Sequence, residues 1–331
     1  MPQVSVIIPC FNEESTIAGV LQAVYAQDFP HADLEVVIAD GLSTDGTRTA
    51  IAAFQTEHPD LSITVVDNPQ RLIPAALNRA IAAARGEVIL RLDAHCVPQP
   101  GYIARSLEAL QAGRGWNVGG VWQVVPGGPG WMAAAIAAAA AHPLGVGDAL
   151  YRYTTQAQEV DTVPFGAFRR ALVAEIGGFD ESLHSNEDYE FNTRIRAAGG
   201  KIWLDPQIKS LYYARSSLPA LASQYARYGY WKLRMLRRYP GSLRWRQAIP
   251  PLFVLALLGL SLGGLWWPWL HKLLIAQVVS YVLLLLAAAA ERAIRTRNIG
   301  LLFGMPLAIA TMHISWGGAF LRSLLGALLG R

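Results

Sequence analysis

Cysteine is almost missing from this chain. Cys10 and Cys96 are its two thiols, and no CxxC spacing joins them. That excludes a disulfide scaffold and a paired-thiol redox or zinc motif. Both residues flank apolar, strand-like runs, as expected of buried thiols in a reducing compartment. Charge is scarce too. Only 16% of residues are charged and the formal net charge is +4, too small an excess to mark a nucleic-acid binder, so no nucleic-acid partner is expected. The opening residues, MPQVSVIIPCFNEE, have no basic stretch ahead of their apolar run, and Pro9 interrupts that run. They read as a first strand and not as a signal peptide, which leaves the globular part in the cytoplasm.

What is abundant is apolar surface. Hydrophobic residues make up 53% of the 331 and the mean hydropathy is +0.27. The excess is uneven: charges populate residues 1–247, while 248–331 are mostly Leu, Ala, Ile, Gly and Trp. Three parts follow: a globular domain over 1–224, a basic amphipathic segment over 225–247, and a membrane segment over 248–331. Residues 225–246 hold seven Lys or Arg and no acid, which suits an interfacial helix on anionic lipid headgroups. Beyond them, the stretches 249–267, 273–290 and 299–321 each approach the ~20 residues that cross a bilayer. Trp and Tyr at their ends suit the interface, and the cations before the first and between the second and third put those connections in the cytoplasm. The hairpin at 268–272 and the C-terminus would then face outward. The third stretch, which contains His313, can alternatively be re-entrant or interfacial.

The globular part alternates. Apolar runs at 4–8, 34–39, 63–66 and 88–92 read as strands. Helical spacing covers 15–26, 45–58 (with Thr44 or Asp45 as cap) and 74–84, the last ending at Gly86. Such alternation implies a parallel sheet covered by helices on both faces, with ligands beyond the carboxyl ends of its strands. Later residues are less regular. The Ala-rich helix 131–141 fits either a buried site or a membrane surface, and 188–198 has helical spacing.

Several polar residues fall at those strand ends. Asp93 and His95, in LRLDAHC, can hold one divalent cation from an extended turn, with Mn²⁺ or Mg²⁺ both compatible with mixed oxygen and nitrogen ligation. The alternative is a turn in which Asp93 caps amides and His95 is solvated. Asp40, in ADGLSTDGT, can accept hydrogen bonds from a base or ribose, whereas Asp45 reads as a helix cap. A similar turn, from Pro9 to Glu13, follows the first strand.

VSVIIPCFNEESTI, VVIADGLSTDGT, GEVILRLDAHC and GGFDESLHSNEDYEFNTRIRAAG, in that order, resemble the family 2 glycosyltransferases. The resemblance covers residues 3 to about 230. The membrane tail, VDTVPFGAFRR and HPLGVGDALYR resemble a membrane-bound subgroup of exopolysaccharide assembly, the succinoglycan type. This implies an α/β GT-A nucleotide-sugar-binding domain, a mostly parallel central sheet flanked by helices, followed by a transmembrane helical segment. It implies that Pro9, Asn12, Glu13 and Asp40 hold the nucleotide, and that Asp93 and His95 stand for the cation-binding DxD pair, with histidine as the second ligand. Asp40-Gly41 has one carboxylate where many members have two. Arg71 occupies a position where some relatives carry an arginine near the nucleotide; it reads equally as a solvated charge at a helix entry.

Glu187-Asp188 resembles the family's ED motif. An acceptor hydroxyl must lose its proton as it attacks, so a carboxylate is needed opposite the leaving diphosphate; the alternative is an acidic pair compensating a helix dipole. Asp188 is the expected base. Gln224, Arg227 and Tyr228 resemble QxxRW with Tyr for Trp, and lie on one helical face. They would meet diphosphate or acceptor sugar. The expected protein is an inverting, metal-dependent hexosyltransferase of the cytoplasmic (inner) membrane, multi-pass, with its catalytic domain in the cytoplasm. Its donor would be a nucleotide sugar of the UDP type and its acceptor a saccharide on a membrane lipid diphosphate. The rivals are a polyprenyl-phosphate hexosyltransferase and, from another class, a membrane scaffold or transporter carrying an inactive transferase domain.

Overall fold

Every residue of the first strand, VSVIIPC, is buried, so it must be covered on both faces, and the chain supplies that cover in a βα rhythm. The structure, a computed structural model, describes residues 1–242 and 244–329. The expected basic and membrane segments extend over residue 243 and residues 330–331, which lie outside the described residues. In order, the elements are β1 (Val4–Cys10), α1 (Ile17–Tyr25), β2 (Leu34–Asp40), α2 (Thr47–Glu57), β3 (Ser62–Asp67), α3 (Ile73–Ala83), β4 (Val88–Arg91), β5 (Cys96–Pro98), α4 (Tyr102–Gln111), β6 (Asn117–Val125), α5 (Trp131–Ala140) and α6 (Pro143–Val146). They continue through β7 (Gln158–Glu159), β8 (Ala167–Arg169), α7 (Ala171–Ile176), α8 (Glu187–Ala197), β9 (Ile202–Tyr213), α9 (Leu218–Arg238), α10 (Trp245–Gly263), α11 (Leu270–Thr296) and α12 (Leu301–Leu328).

The chain forms two compact units, one of Met1–Gln123 with Thr154–Tyr212, the other of Val124–Tyr153 with the residues from Tyr213 onward. The sheet runs β3-β2-β1-β4-β8-β6-β9-β5, with β7 on β9. Its first half is parallel, as the alternation predicts: Val6 lies opposite Val36 on one side and Leu90 on the other. From β4 onward the pairs turn antiparallel, Leu90 opposite Ala167 and Cys96 opposite Tyr212. The sheet is therefore mixed. The second half lacks the helix-by-helix crossovers that parallel pairing needs, so its strands pair in opposed directions.

The core of the first unit is aliphatic, with Val6, Ile8, Ile17, Leu21, Val36, Ile38 and Ile51 at 0–1% exposure. Two details differ from the expectation. The residue capping α2 is Gly46; Asp45, one position earlier, accepts the Thr47 N–H at 3.1 Å. Gly86 is not a left-handed helix terminator. It lets β1 approach, since a Cβ there would lie 2.7 Å from the Ser5 nitrogen.

In the second unit, α5 packs along α12. A Cβ on Gly304 would stand 2.5 Å from the Ala135 Cβ, so small residues permit the approach and the Ala-rich segment is an internal packing helix. Among the described residues three helices, α10, α11 and α12, are long and apolar enough to cross a membrane.

Gly120, in β6, is where the sheet tolerates least. An added Cβ would sit 1.9 Å from the Ile208 carbonyl oxygen, a backbone atom that no rotamer change can move. Gly120→Ala should lower unfolding free energy by about 1–3 kcal/mol or abolish folding, read by denaturant titration; an unchanged midpoint would refute this packing.

Candidate active site

Beyond the carboxyl ends of β1, β2 and β3, three turns are tied together. Asn12, Leu42 and Arg71 adopt φ of 54°, 58° and 56°, a left-handed backbone that non-glycine residues adopt only under constraint. The constraint is visible. The Asn12 N–H donates to Ser43 Oγ at 2.8 Å, and Asn12 Oδ1 accepts the Thr44 N–H at 2.9 Å. The Glu13 N–H donates to Thr47 Oγ1. Asp40 is fully buried and accepts from the Ser43 N–H and from Arg48 Nε at 2.6 Å, so its carboxylate shapes the turn from beneath. Arg71 donates from Nε to the Gly41 carbonyl and lays its guanidinium 5.0 Å from the Phe11 ring centre. Gly41 itself is required there, because a Cβ would stand 2.9 Å from that ring. Pro9 is buried within β1, opposite Ala39.

At the end of β4, Arg91 is 2% exposed and faces three carboxylates. Its Nη2 donates to Asp93 Oδ1 and to Glu187 Oε1, each at 3.0 Å, and its Nη1 donates to Asp188. The strand end and the start of α8 are thus joined through one buried cation. Helix α8 is held in place behind them. Asn192 donates to Thr162 Oγ1 and the Val163 carbonyl, and the Tyr189 hydroxyl to Asp161. Phe165, at φ 62°, places its ring 5.8 Å from the Arg91 guanidinium and gives its N–H to Asp188. Gly166 follows at φ 97°, where a Cβ would strike Asn117.

One positive charge against three negative ones leaves a surplus of carboxylate. Burial pushes the Asp188 carboxyl up to about 8, with Glu187 and Asp93 adding to the rise and Arg91 and the Phe165 N–H opposing it. For Arg91, burial disfavours the charge, but the three carboxylates outweigh it and hold the guanidinium protonated.

His95 is half-buried, and its Nδ1 lies 3.1 Å from Glu13 Oε1. Burial would raise the Glu13 carboxyl, yet hydrogen bonds from His95 and Thr16 hold it below the usual value. A carboxylate on Nδ1 selects the tautomer whose Nε2 carries the lone pair, the arrangement in which a histidine binds metal. Arg91 engages only Oδ1 of Asp93 among the described residues. The donor set, one carboxylate oxygen and one imidazole nitrogen, fits a divalent cation that takes its other ligands from water and diphosphate. Among the described residues no three His, Cys, Asp or Glu form a closed metal cage.

Gln224, Arg227 and Tyr228 belong to α9 of the second unit. Gln224 Nε2 donates to the Tyr228 hydroxyl at 3.0 Å, and Arg227 is exposed. Sequence reasoning did not single out Arg91, Phe11 or Arg48, nor the stack of Trp122 on Tyr212, whose rings are 4.0 Å apart and inclined by 2°. Arg91 left one signal: a cation interrupting an apolar strand two residues before Asp93.

Residues 5–177 match the profile of glycosyl transferase family 2. The chain is 31% identical to the succinoglycan biosynthesis protein ExoA of Rhizobium meliloti (strain 1021), over 97% of this chain and 94% of that protein. It is 28% identical to a dolichyl N-acetyl-alpha-D-glucosaminyl phosphate 3-beta-D-2,3-diacetamido-2,3-dideoxy-beta-D-glucuronosyltransferase of Methanococcus voltae, over 95% of each. Among solved structures it resembles the mannosyltransferase PcManGT of Pyrobaculum calidifontis, in complex with GDP-Man and Mn²⁺, with a TM-score of 0.64 and 23% identity over 98% of this chain and 87% of that one. The fold is GT-A-like, with an α/β domain built on a mixed sheet.

Removing the buried cation should leave three carboxylates facing one another. Arg91→Met is expected to cost about 3–5 kcal/mol at neutral pH. Arg91 opposes the upward push on the buried Asp188 carboxyl, so without it that group is the better proton binder in the native state, and the deficit should shrink as pH falls. Urea titrations at two pH values measure it; a deficit that does not change with pH would show that the loss is one of packing.

Proposed function

The chain belongs to glycosyl transferase family 2 and is a transferase, and we propose that it moves a hexose from a UDP-sugar onto a saccharide carried by a membrane lipid diphosphate, with inversion, in extracellular polysaccharide assembly. The observation that carries this reading is Arg91, which draws Asp93 from the strand end and Asp188 from α8 onto one guanidinium. A cation ligand and a base candidate thereby flank a common point, as an in-line displacement requires. The similarity to a succinoglycan biosynthesis protein and to an enzyme whose name carries a dolichyl phosphate-linked sugar supports a lipid-borne saccharide over a bare lipid phosphate.

In this mechanism the turns at 9–13 and 40–46 cradle the nucleotide. Asn12 and the buried Asp40 fix the loop backbone, while the exposed Phe11 ring and Arg71 offer a stacking face and a cation beside it. Glu13 orients His95, and Asp93 with His95 would hold the divalent cation, Mn²⁺ or Mg²⁺, which supplies charge neutralisation for the departing diphosphate. Asp188 takes the proton from the acceptor hydroxyl. Glu187 shares Arg91 with it, and the Phe165 N–H fixes its orientation. Gln224, Arg227 and Tyr228 would meet the diphosphate or the acceptor sugar. Helices α10 and α11 keep the enzyme at the inner face of the cytoplasmic membrane, where an acceptor that never leaves the bilayer is concentrated.

Asp188→Asn should lower transfer by about 10²–10⁴-fold with donor affinity retained, measured by nucleotide release and calorimetry. Near-normal turnover in this variant would remove Asp188 as the base. Because the Asp188 carboxyl is pushed up to about 8, its proton-free form accumulates as pH rises through that value, and kcat/KM should climb on the same limb. In a donor panel with Mn²⁺ or Mg²⁺, UDP-sugars should turn over and a chelator should stop them. Turnover of GDP-sugars alone would overturn the donor assignment, and indifference to chelator would overturn the cation.

A further inference from the structure

The second unit carries a feature that a simple three-span anchor does not explain. Helix α12 is apolar, yet it packs lengthwise on α9, the most basic helix of the chain. The contacts fix their direction. A Cβ on Gly229 would lie 2.1 Å from the Trp316 carbonyl oxygen. Further along both helices, Tyr230, Arg234 and Arg237 face Arg322, Ser323 and Gly326 across a groove of about 310 Å³. Numbers rise together, so α9 and α12 run the same way. The start of α10, directly after α9, meets the same region, since a Cβ on Gly317 would be 2.4 Å from the Pro250 carbonyl oxygen. The C-terminal half of α12 therefore lies where α9 ends and α10 begins.

A helix whose C-terminal half lies against the cationic end of α9, which carries Arg227, Lys232, Arg234, Arg237 and Arg238, cannot take that half through hydrocarbon without those cations, at a cost for each. The groove between the two helices is basic. Its lining includes three arginines and no acid, and Arg237 and Arg322 have no carboxylate partner among the described residues. Beside it, Leu324, Leu325 and Leu328 are exposed at 38%, 59% and 76%. Cations next to an apolar ridge match an amphiphile with an anionic head.

We propose that α12 does not span the bilayer but lies with α9 in the headgroup layer, and that the groove of Arg234, Arg237 and Arg322 takes the phosphate of an anionic membrane phospholipid. Residue 329 then stands on the same side of the membrane as residue 238, and only the α10–α11 hairpin enters the hydrocarbon. This platform is separate from the donor site, and none of its three arginines belongs to the transfer machinery described above.

Two measurements on the full chain test it. Single cysteines replace Arg238, Leu329 and Trp266, an exposed residue at the hairpin tip; the native Cys10 and Cys96 are buried and stay silent. With an impermeant maleimide applied to each membrane face in turn, positions 238 and 329 should label from the same face. Labelling of 329 from the face opposite 238 makes α12 a span and overturns the proposal. The second measurement is the melting temperature of detergent-solubilised protein with short-chain phosphatidylglycerol, short-chain phosphatidylcholine or inorganic phosphate. Phosphatidylglycerol should raise it. The triple variant Arg234→Gln/Arg237→Gln/Arg322→Gln should lose that rise while keeping its basal melting temperature and donor hydrolysis. An equal rise with inorganic phosphate or phosphatidylcholine, or an unchanged rise in the variant, refutes the assignment. Donor hydrolysis is read on the same samples, so a failure of the lipid site is distinguishable from a failure of the transferase reading.

Discussion

One buried guanidinium holds the candidate site together. Arg91 sits at the last position of β4, nearly sealed from solvent, and meets carboxylates from its own strand end and from α8. A lone arginine at such depth would be prohibitively expensive, and so would three clustered carboxylates; each makes the other tolerable. The geometry around them follows from that mutual dependence. Phe165 and Gly166 take left-handed backbone to close over the guanidinium, and Asn192 and Tyr189 lock α8 so that its first turn cannot drift away. A site made this way is stiff, and stiffness is what a displacement with two charged participants demands.

The same interaction explains what sequence reading could and could not reach. The alternation of apolar runs with helical spacing made β1 through β4 and their helices legible, because local periodicity reports local burial. Asp93, His95, Glu187 and Asp188 were legible as motifs, each within a few residues of a strand end or helix start. Arg91 marks the sequence only as a cation interrupting an apolar run, since its meaning lies in partners nearly a hundred residues away. The antiparallel half of the sheet was hidden for a related reason: β8 has three residues and β7 two, too short to display a period. Gly86 shows the limit of position-based rules. It lay where a helix stop was expected, but it serves a close approach to Ser5.

Asp40 and Asn12 illustrate a gentler difference between motif and structure. Both sit at the strand ends where a nucleotide would be held; Asp40 is buried beneath its turn, and the exposed Asn12 gives its Oδ1 to the Thr44 N–H. They fix the backbone that would face a ligand, while Phe11 and Arg71 present the surface. Residues that hold a loop's shape and residues that touch what it binds leave similar marks in a sequence, and only the hydrogen-bond partners separate them.

The chain's second unit is interrupted, and this bears on how it is made. Helices α5 and α6 are synthesised long before the partner that α5 packs against, α12. Until α12 is made, an Ala-rich apolar helix lacks the main surface it packs against. Apolar surface left open in this way is prone to aggregation until α12 arrives. Loss of α12 would thus injure a segment far upstream.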